Sequence, residues 1–167
     1  MGTDTEVLDR FGFEPAELAA ALNVDLADVR GWLAGTVPPP SRQRQQLDAL
    51  LAAGDTLAVH VAVDGRGRPW RAPALRWQPI LTPQGRFRLP LVLEWSGGEG
   101  GRWRDARRRD DVLDAYSIVL AEGSVADMIA WVDPALAAKH LDRMVAVRFR
   151  PAWARYFTGI GISADAA

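Results

Sequence analysis

The spacing of the hydrophobic positions changes twice along the 167-residue chain, and those changes divide it. Up to residue 54 the period is helical: Leu8 and Phe11, Leu18 and Leu22, Val29, Trp32 and Leu33, then Leu47, Leu50 and Leu51 recur at spacings of three and four. Short amphipathic helices are expected there. From Leu57 the period becomes two. Leu57, Val59, Val61 and Val63 alternate with Ala58, His60 and Ala62, as in a strand with one buried face. Phe87, Leu89, Leu91, Leu93 and Trp95 alternate in the same way with Arg88, Pro90, Val92 and Glu94. "DGRGR" at 64–68 and "TPQGR" at 82–86 carry turn chemistry, so a meander of about three antiparallel strands is expected. Pro73, Pro79 and Pro90 confine those positions to edges or bulges.

After the connector "SGGEGG" at 96–101 the helical period returns. Leu113, Tyr116 and Leu120 share a face, and Gly123 is placed to end that helix in the left-handed conformation. Ser124 and Asp127 have the spacing of a capping box, and Asp133-Pro134 reads as an N-cap followed by proline at the first helical position. Val145, Val147 and Phe149 alternate as a last strand before "PAWARYF". The expected class is α+β: an all-α domain over 1–54, then an antiparallel sheet with helices over 55–167.

Composition and charge add limits. With 49% hydrophobic and 25% charged residues the chain can form one good core, or a small module plus a second domain. The absence of cysteine excludes disulfides and thiolate metal sites. "MGTDTEVLDRFGF" lacks a basic start followed by an apolar run, and no stretch approaches the roughly 20 apolar residues of a membrane span. A cytoplasmic protein with no membrane partner is expected. The net charge of −1 is unevenly spread: residues 1–54 hold four arginines against eight acids, whereas residues 64–109 hold eleven arginines against four.

The stretch "PAELAAALNVDLADVRGWLAG", 15–35, carries Leu18-Ala19, Leu22, Asn23, Val24, Val29, Trp32 and Gly35 at spacings that let two helices cross around a tight turn. Ala19 permits the close crossing, Asn23 tolerates the left-handed turn, Val24 and Val29 fill the crossing, and Gly35 ends the second helix. In these residues the chain resembles the Cro/C1-type, or Xre-like, helix-turn-helix family over about residues 6–53. That resemblance implies double-stranded DNA as partner, a homodimer and transcriptional regulation without catalysis. It also implies that the second helix of the motif reads bases. Asp25 and Asp28 sit at that helix's start, with Arg30 its one cation, and Arg42 and Arg44 open the next helix as phosphate contacts. Two departures stand out. Pro15 occupies the place where the family commonly has a phosphate-holding glutamine, and the reading helix is acidic. Asp25 has a structural role available as an N-cap, and Asp28 suits the helix dipole.

Two other readings compete. The acidic helix could dock a protein partner, as in an adaptor or antitoxin-like protein. Alternatively, the tryptophans and arginines of "RGRPWRAPALRW" and "RWRDARRR" form a second nucleic-acid surface, with Trp103 among Arg102, Arg104, Arg107, Arg108 and Arg109. Against that stands ordinary packing, in which arginine stems cover tryptophans. No catalytic constellation emerges: His60 and His140 are isolated, and Asp110, Asp111 and Asp114 read as a charged helix start. Lys139, the single lysine, has no matching serine motif, so no metal, cofactor or enzymatic activity is expected.

Overall fold

The computed structural model describes residues 3–67, 69–94, 101–144 and 147–162. Arg68, Trp95, most of the 96–101 connector and Val145 lie outside them. The class is α+β. Four helices come first: α1 (Thr3–Phe11), α2 (Pro15–Leu22), α3 (Leu26–Leu33) and α4 (Ser41–Ala53). Strands β1 (Ala58–Val63), β2 (Pro69–Pro73), β3 (Arg86–Phe87) and β4 (Arg104–Asp105) follow, then α5 (Arg109–Glu122), α6 (Val125–Trp131), α7 (Pro134–Lys139), a 3-10 turn at Leu141–Arg143, and α8 (Arg150–Gly159).

By contacts the chain divides into two compact units that interleave. One holds residues 1–52 and 80–112, the other residues 53–79 and 113–167. The sequence suggests a single break near Gly54-Asp55, whereas the contacts return residues 80–112 to the helical unit.

In the first unit α2 and α3 pack together, Leu18 and Val29 are fully buried, and Ala19 lies between them in the sequence at 3% exposure. Asn23 caps α2 at φ 56, and Gly35 follows α3 at φ 68, so both left-handed positions fall where the sequence puts them. The strand expected over 87–95 is reduced to Arg86–Phe87. Pro90 has no N–H to give a ladder, and its carbonyl instead accepts from Leu93 N–H at 2.9 Å, closing a turn over 91–93. Phe87, Leu89 and Leu93 are still buried, while Leu91 is 40% exposed.

In the second unit "DGRGR" does make a hairpin. Asp64 accepts from Arg66 N–H through Oδ1 and from Gly67 N–H through its carbonyl, with Gly67 at φ 79. It joins β1 to β2 antiparallel, from Ala58 opposite Pro73 to Val63 opposite Pro69. No three-stranded meander forms among the described residues: β1 pairs with β2, and β3 pairs separately with β4. Nor is the alternate face of β1 buried, since Leu57 is 76% and Val63 55% exposed. An irregularity between His60 and Ala62 interrupts the alternation. Burial falls instead on Ala72 of β2 and on Trp153 and Phe157 of α8, while the indole of Trp77 donates to the carbonyls of Met128 and Val132 at 3.1 and 2.9 Å.

The local caps form as expected. Ser124 Oγ accepts from Asp127 N–H, Asp127 Oδ2 accepts from Ser124 N–H at 2.7 Å, and Asp133 Oδ1 accepts from Ala135 and Leu136 N–H. Two further expectations fail. Val147 and Phe149 are not in a strand: Phe149, at φ 56, is the N-cap of α8, whose early Pro151 suits a first helical turn and ends any ladder. Gly123 is not left-handed. It is needed for closeness, because a Cβ there would stand 2.6 Å from the carbonyl oxygen of Val119 and 3.1 Å from Asp127 Cβ. Gly123→Ala should therefore destabilise the protein by about 1–3 kcal/mol in urea unfolding. Gly35→Ala, with open space around it but φ 68, should lose only the roughly 1 kcal/mol of the backbone preference. A neutral Gly123→Ala would refute the steric account.

Candidate functional site

The candidate site lies on the first unit, on helices too short to hold themselves in water. α3 owes its orientation to Val29, fully buried, and Trp32, 5% exposed, which turn its opposite face outward. Asp25, Ala27, Asp28 and Arg30 are exposed there. Asp25 stands at the N-cap with extended backbone, but its carboxylate makes no capping hydrogen bond. Its structural role is therefore conformational only, which corrects the sequence expectation. Arg42 and Arg44 are exposed in the first turn of α4.

The turn between α2 and α3 is fastened from outside. Asn23 donates through Nδ2 to the carbonyl of Thr82 at 3.0 Å and accepts through Oδ1 from Gln84 N–H at 2.7 Å. "TPQGR" thus serves as a brace on the helical turn as well as a lead into β3. A second fastening lies on α2. Glu17, whose side chain is fully buried, accepts from Glu14 N–H at 2.8 Å, and its other oxygen lies 2.6 Å from Arg88 Nε without hydrogen-bond alignment. Burial pushes the Glu17 carboxyl up, against the opposing pull of Glu14 N–H and the Arg88 charge. Gln46 of α4 adds a third tie, donating to the carbonyl of Ile80 at 3.2 Å.

β3 and β4 form a short ribbon in the same unit, with Arg86 opposite Asp105 and Phe87 opposite Arg104. Alternation sends Phe87 and Arg104 inward and leaves Arg86 exposed. Arg104 is thus removed from the expected nucleic-acid surface. Its side chain is 1% exposed, forked onto Glu94 at 2.8 and 2.7 Å, with Nη1 also donating to the carbonyl of Arg102 at 3.0 Å. A guanidinium buried in this way is stable only with its carboxylate.

The remaining members of the expected cluster stay outside, and two of them are held by carboxylate contacts within the unit. Arg107 forks onto Asp105, at 2.7 Å for the closest contact, and Arg102 lies 3.3 Å from Asp111. Asp111 also accepts from Asp105 N–H at 2.9 Å. Its burial and these bonds place it in the start of α5 rather than in a metal site, and among the described residues no group of three or more His, Asp or Glu could hold a metal ion. Arg108 and Arg109 are exposed. Trp103 is 40% exposed, with the guanidinium carbons of Arg86 and Arg88 at 5.6 and 5.4 Å from its ring centre. Arg86 and Arg88 are absent from the cluster read in the sequence. Their signal there was the alternation Arg86-Phe87-Arg88, which puts both on one face.

Comparison with protein-family models, with curated proteins and with solved structures finds no match to this chain. Among the described residues no helix is long and apolar enough to cross a membrane.

Two measurements probe the site. Hydrogen bonds from the Arg107 side chain, and next from its backbone N–H, hold the Asp105 carboxyl down to about 2, against an ordinary value of 3.8. The stability it contributes is fully present above 3.8 and is lost as pH falls through about 2. NMR titration of the Asp105 carboxyl carbon should give a midpoint near the lower value, moving toward the ordinary one in Arg107→Ala. Equal midpoints in both proteins would remove the clip. For the brace, Asn23→Gly keeps the left-handed turn and loses two hydrogen bonds, a loss of about 1–2 kcal/mol. Asn23→Ala should lose about 1 kcal/mol more, and thermal unfolding that fails to rank the variants in that order contradicts the brace.

Proposed function

We propose that the protein is a cytoplasmic, homodimeric DNA-binding regulator of transcription that performs no chemistry, with the outer face of α3 turned to duplex DNA. The observation that carries this reading is the division of α3 itself: Val29 and Trp32 hold it in the core, while Ala27, Asp28 and Arg30 are exposed. The resemblance to Xre-like modules over 6–53 supports it. On this reading Arg30 meets a base edge or phosphate, Asp28 accepts from a cytosine amino group, and Arg42 and Arg44 meet phosphates. An acidic reading face gives low intrinsic affinity, because phosphate neutralisation supplies most of protein–DNA binding. Pairing of two copies then provides the rest by linkage.

One observation favours the competing reading, in which α3 docks a basic protein: the Asp25 carboxylate is left out of the helix cap. Charge removal separates the two. If α3 approaches DNA, Asp25→Asn with Asp28→Asn should tighten binding to a duplex several-fold at about 50 mM salt, because two repelling charges leave the phosphate field. Arg30→Ala should weaken a specific complex by about 1–3 kcal/mol and relax preference at one position. Fluorescence anisotropy with labelled duplexes reads both. Indifference of DNA affinity to all three changes would take α3 out of the DNA contact and leave the acidic helix to a protein partner.

A further inference from the structure

We infer that the β3–β4 ribbon is part of the same DNA-binding surface and grips the phosphate backbone of the duplex through Arg86, seated on Trp103. This rests on the DNA reading above. The need for it comes from charge. α2 begins with Glu14 exposed, Pro15 without an N–H and Glu17 occupied, so that end of α2 has little to offer a phosphate. α3 shows two carboxylates for one guanidinium. A surface that binds a polyanion must take its positive charge from elsewhere in the unit.

The ribbon is suitably placed. β3 packs on α2, which packs on α3. Gln84 is hydrogen-bonded to Asn23, two residues before the N-cap of α3. From Gln84 the chain runs two residues to Arg86, roughly 7 Å in extended backbone. That is less than the width of a major groove, about 12 Å. The ribbon is also prepared for its role. Phe87 and the Arg104–Glu94 fork anchor its inner face, and Arg88 is tied to Glu17. Arg86 is exposed and lies over the Trp103 ring, so its guanidinium is positioned before any phosphate arrives. With two guanidinium carbons within 6 Å of that ring, the indole supports cations and is not an open platform for an unpaired base. Duplex phosphate is therefore the occupant.

The test uses the full chain and a mixed-sequence duplex of roughly 25 base pairs, with affinity followed between about 50 and 200 mM salt. Arg86→Gln should weaken binding several-fold at low salt for every sequence and reduce the salt slope by about 1, and Arg86→Lys should restore the slope. Arg86 is exposed, so far-UV circular dichroism of the variants should match the parent. If Arg86→Gln leaves the slope unchanged while Arg30→Ala weakens binding, the ribbon is not a contact and the α3 reading stands. If Arg86→Gln lowers the slope and Arg30→Ala does nothing, the ribbon stands and α3 loses its role. Tighter binding of the corresponding single strand, abolished by Trp103→Ala, would overturn the duplex assignment. A full chain that binds no duplex at about 50 mM salt overturns both.

Discussion

Helices of eight residues cannot be stable alone, so the α2–α3 pair depends on whatever covers its apolar side and pins its turn. Here the cover comes from within the chain but from far along it. Asn23 meets Thr82 and Gln84, Glu17 meets Arg88, and Gln46 meets Ile80. The Asn23 and Gln46 ties are directional hydrogen bonds, which set the register of the 80–84 segment on the helices more sharply than apolar contact alone would. The ties hold the neighbours of α3, while Val29 and Trp32 bury one side of α3 itself and leave the other to be presented.

The same segment decides which arginines are available to a partner. Counting cations between residues 64 and 109 suggests a strongly basic patch, yet the folded unit joins Arg88 to Glu17, Arg102 to Asp111, Arg104 to Glu94 and Arg107 to Asp105. The Arg104 pair is buried on both sides, so losing either partner would leave an unpaired buried charge. The pairs of Arg102 and Arg107, whose guanidiniums are exposed, are weak and can exchange a carboxylate for another anion at little cost, unlike the Arg88 pair, whose Glu17 is fully buried.

What was legible in the sequence was local. The capping residues Ser124, Asp127 and Asp133, the left-handed Asn23 and Gly35, and the hairpin turn at Asp64 each depend on neighbours within a few residues, and each lies where chemistry places it. Alternation proved a poorer guide. In the run from Phe87 to Leu93 the alternation holds at Phe87 and Leu89 and then breaks, with Pro90 buried and Leu91 exposed, because Pro90 withholds the N–H a ladder needs. Three alternating residues before Pro151 could not be told from a lead into α8. Burial of Arg104 was illegible for another reason: its partner Glu94 is ten residues away across a glycine-rich connector, and nothing in either residue's own surroundings announces the other.

The interleaving of the two units bears on how the protein is made. Residues 1–52 leave the ribosome before residues 80–112, which complete their unit. Synthesis proceeds at roughly 5–20 residues per second, so the nascent helices wait several seconds for Arg88 and the Thr82–Gln84 brace. During that interval α2 has α3 beside it but lacks β3, which packs on it in the finished unit. A unit built from two separated stretches is completed only after the residues between them have been synthesised, whereas each of a linear pair of domains can close once its own stretch is out.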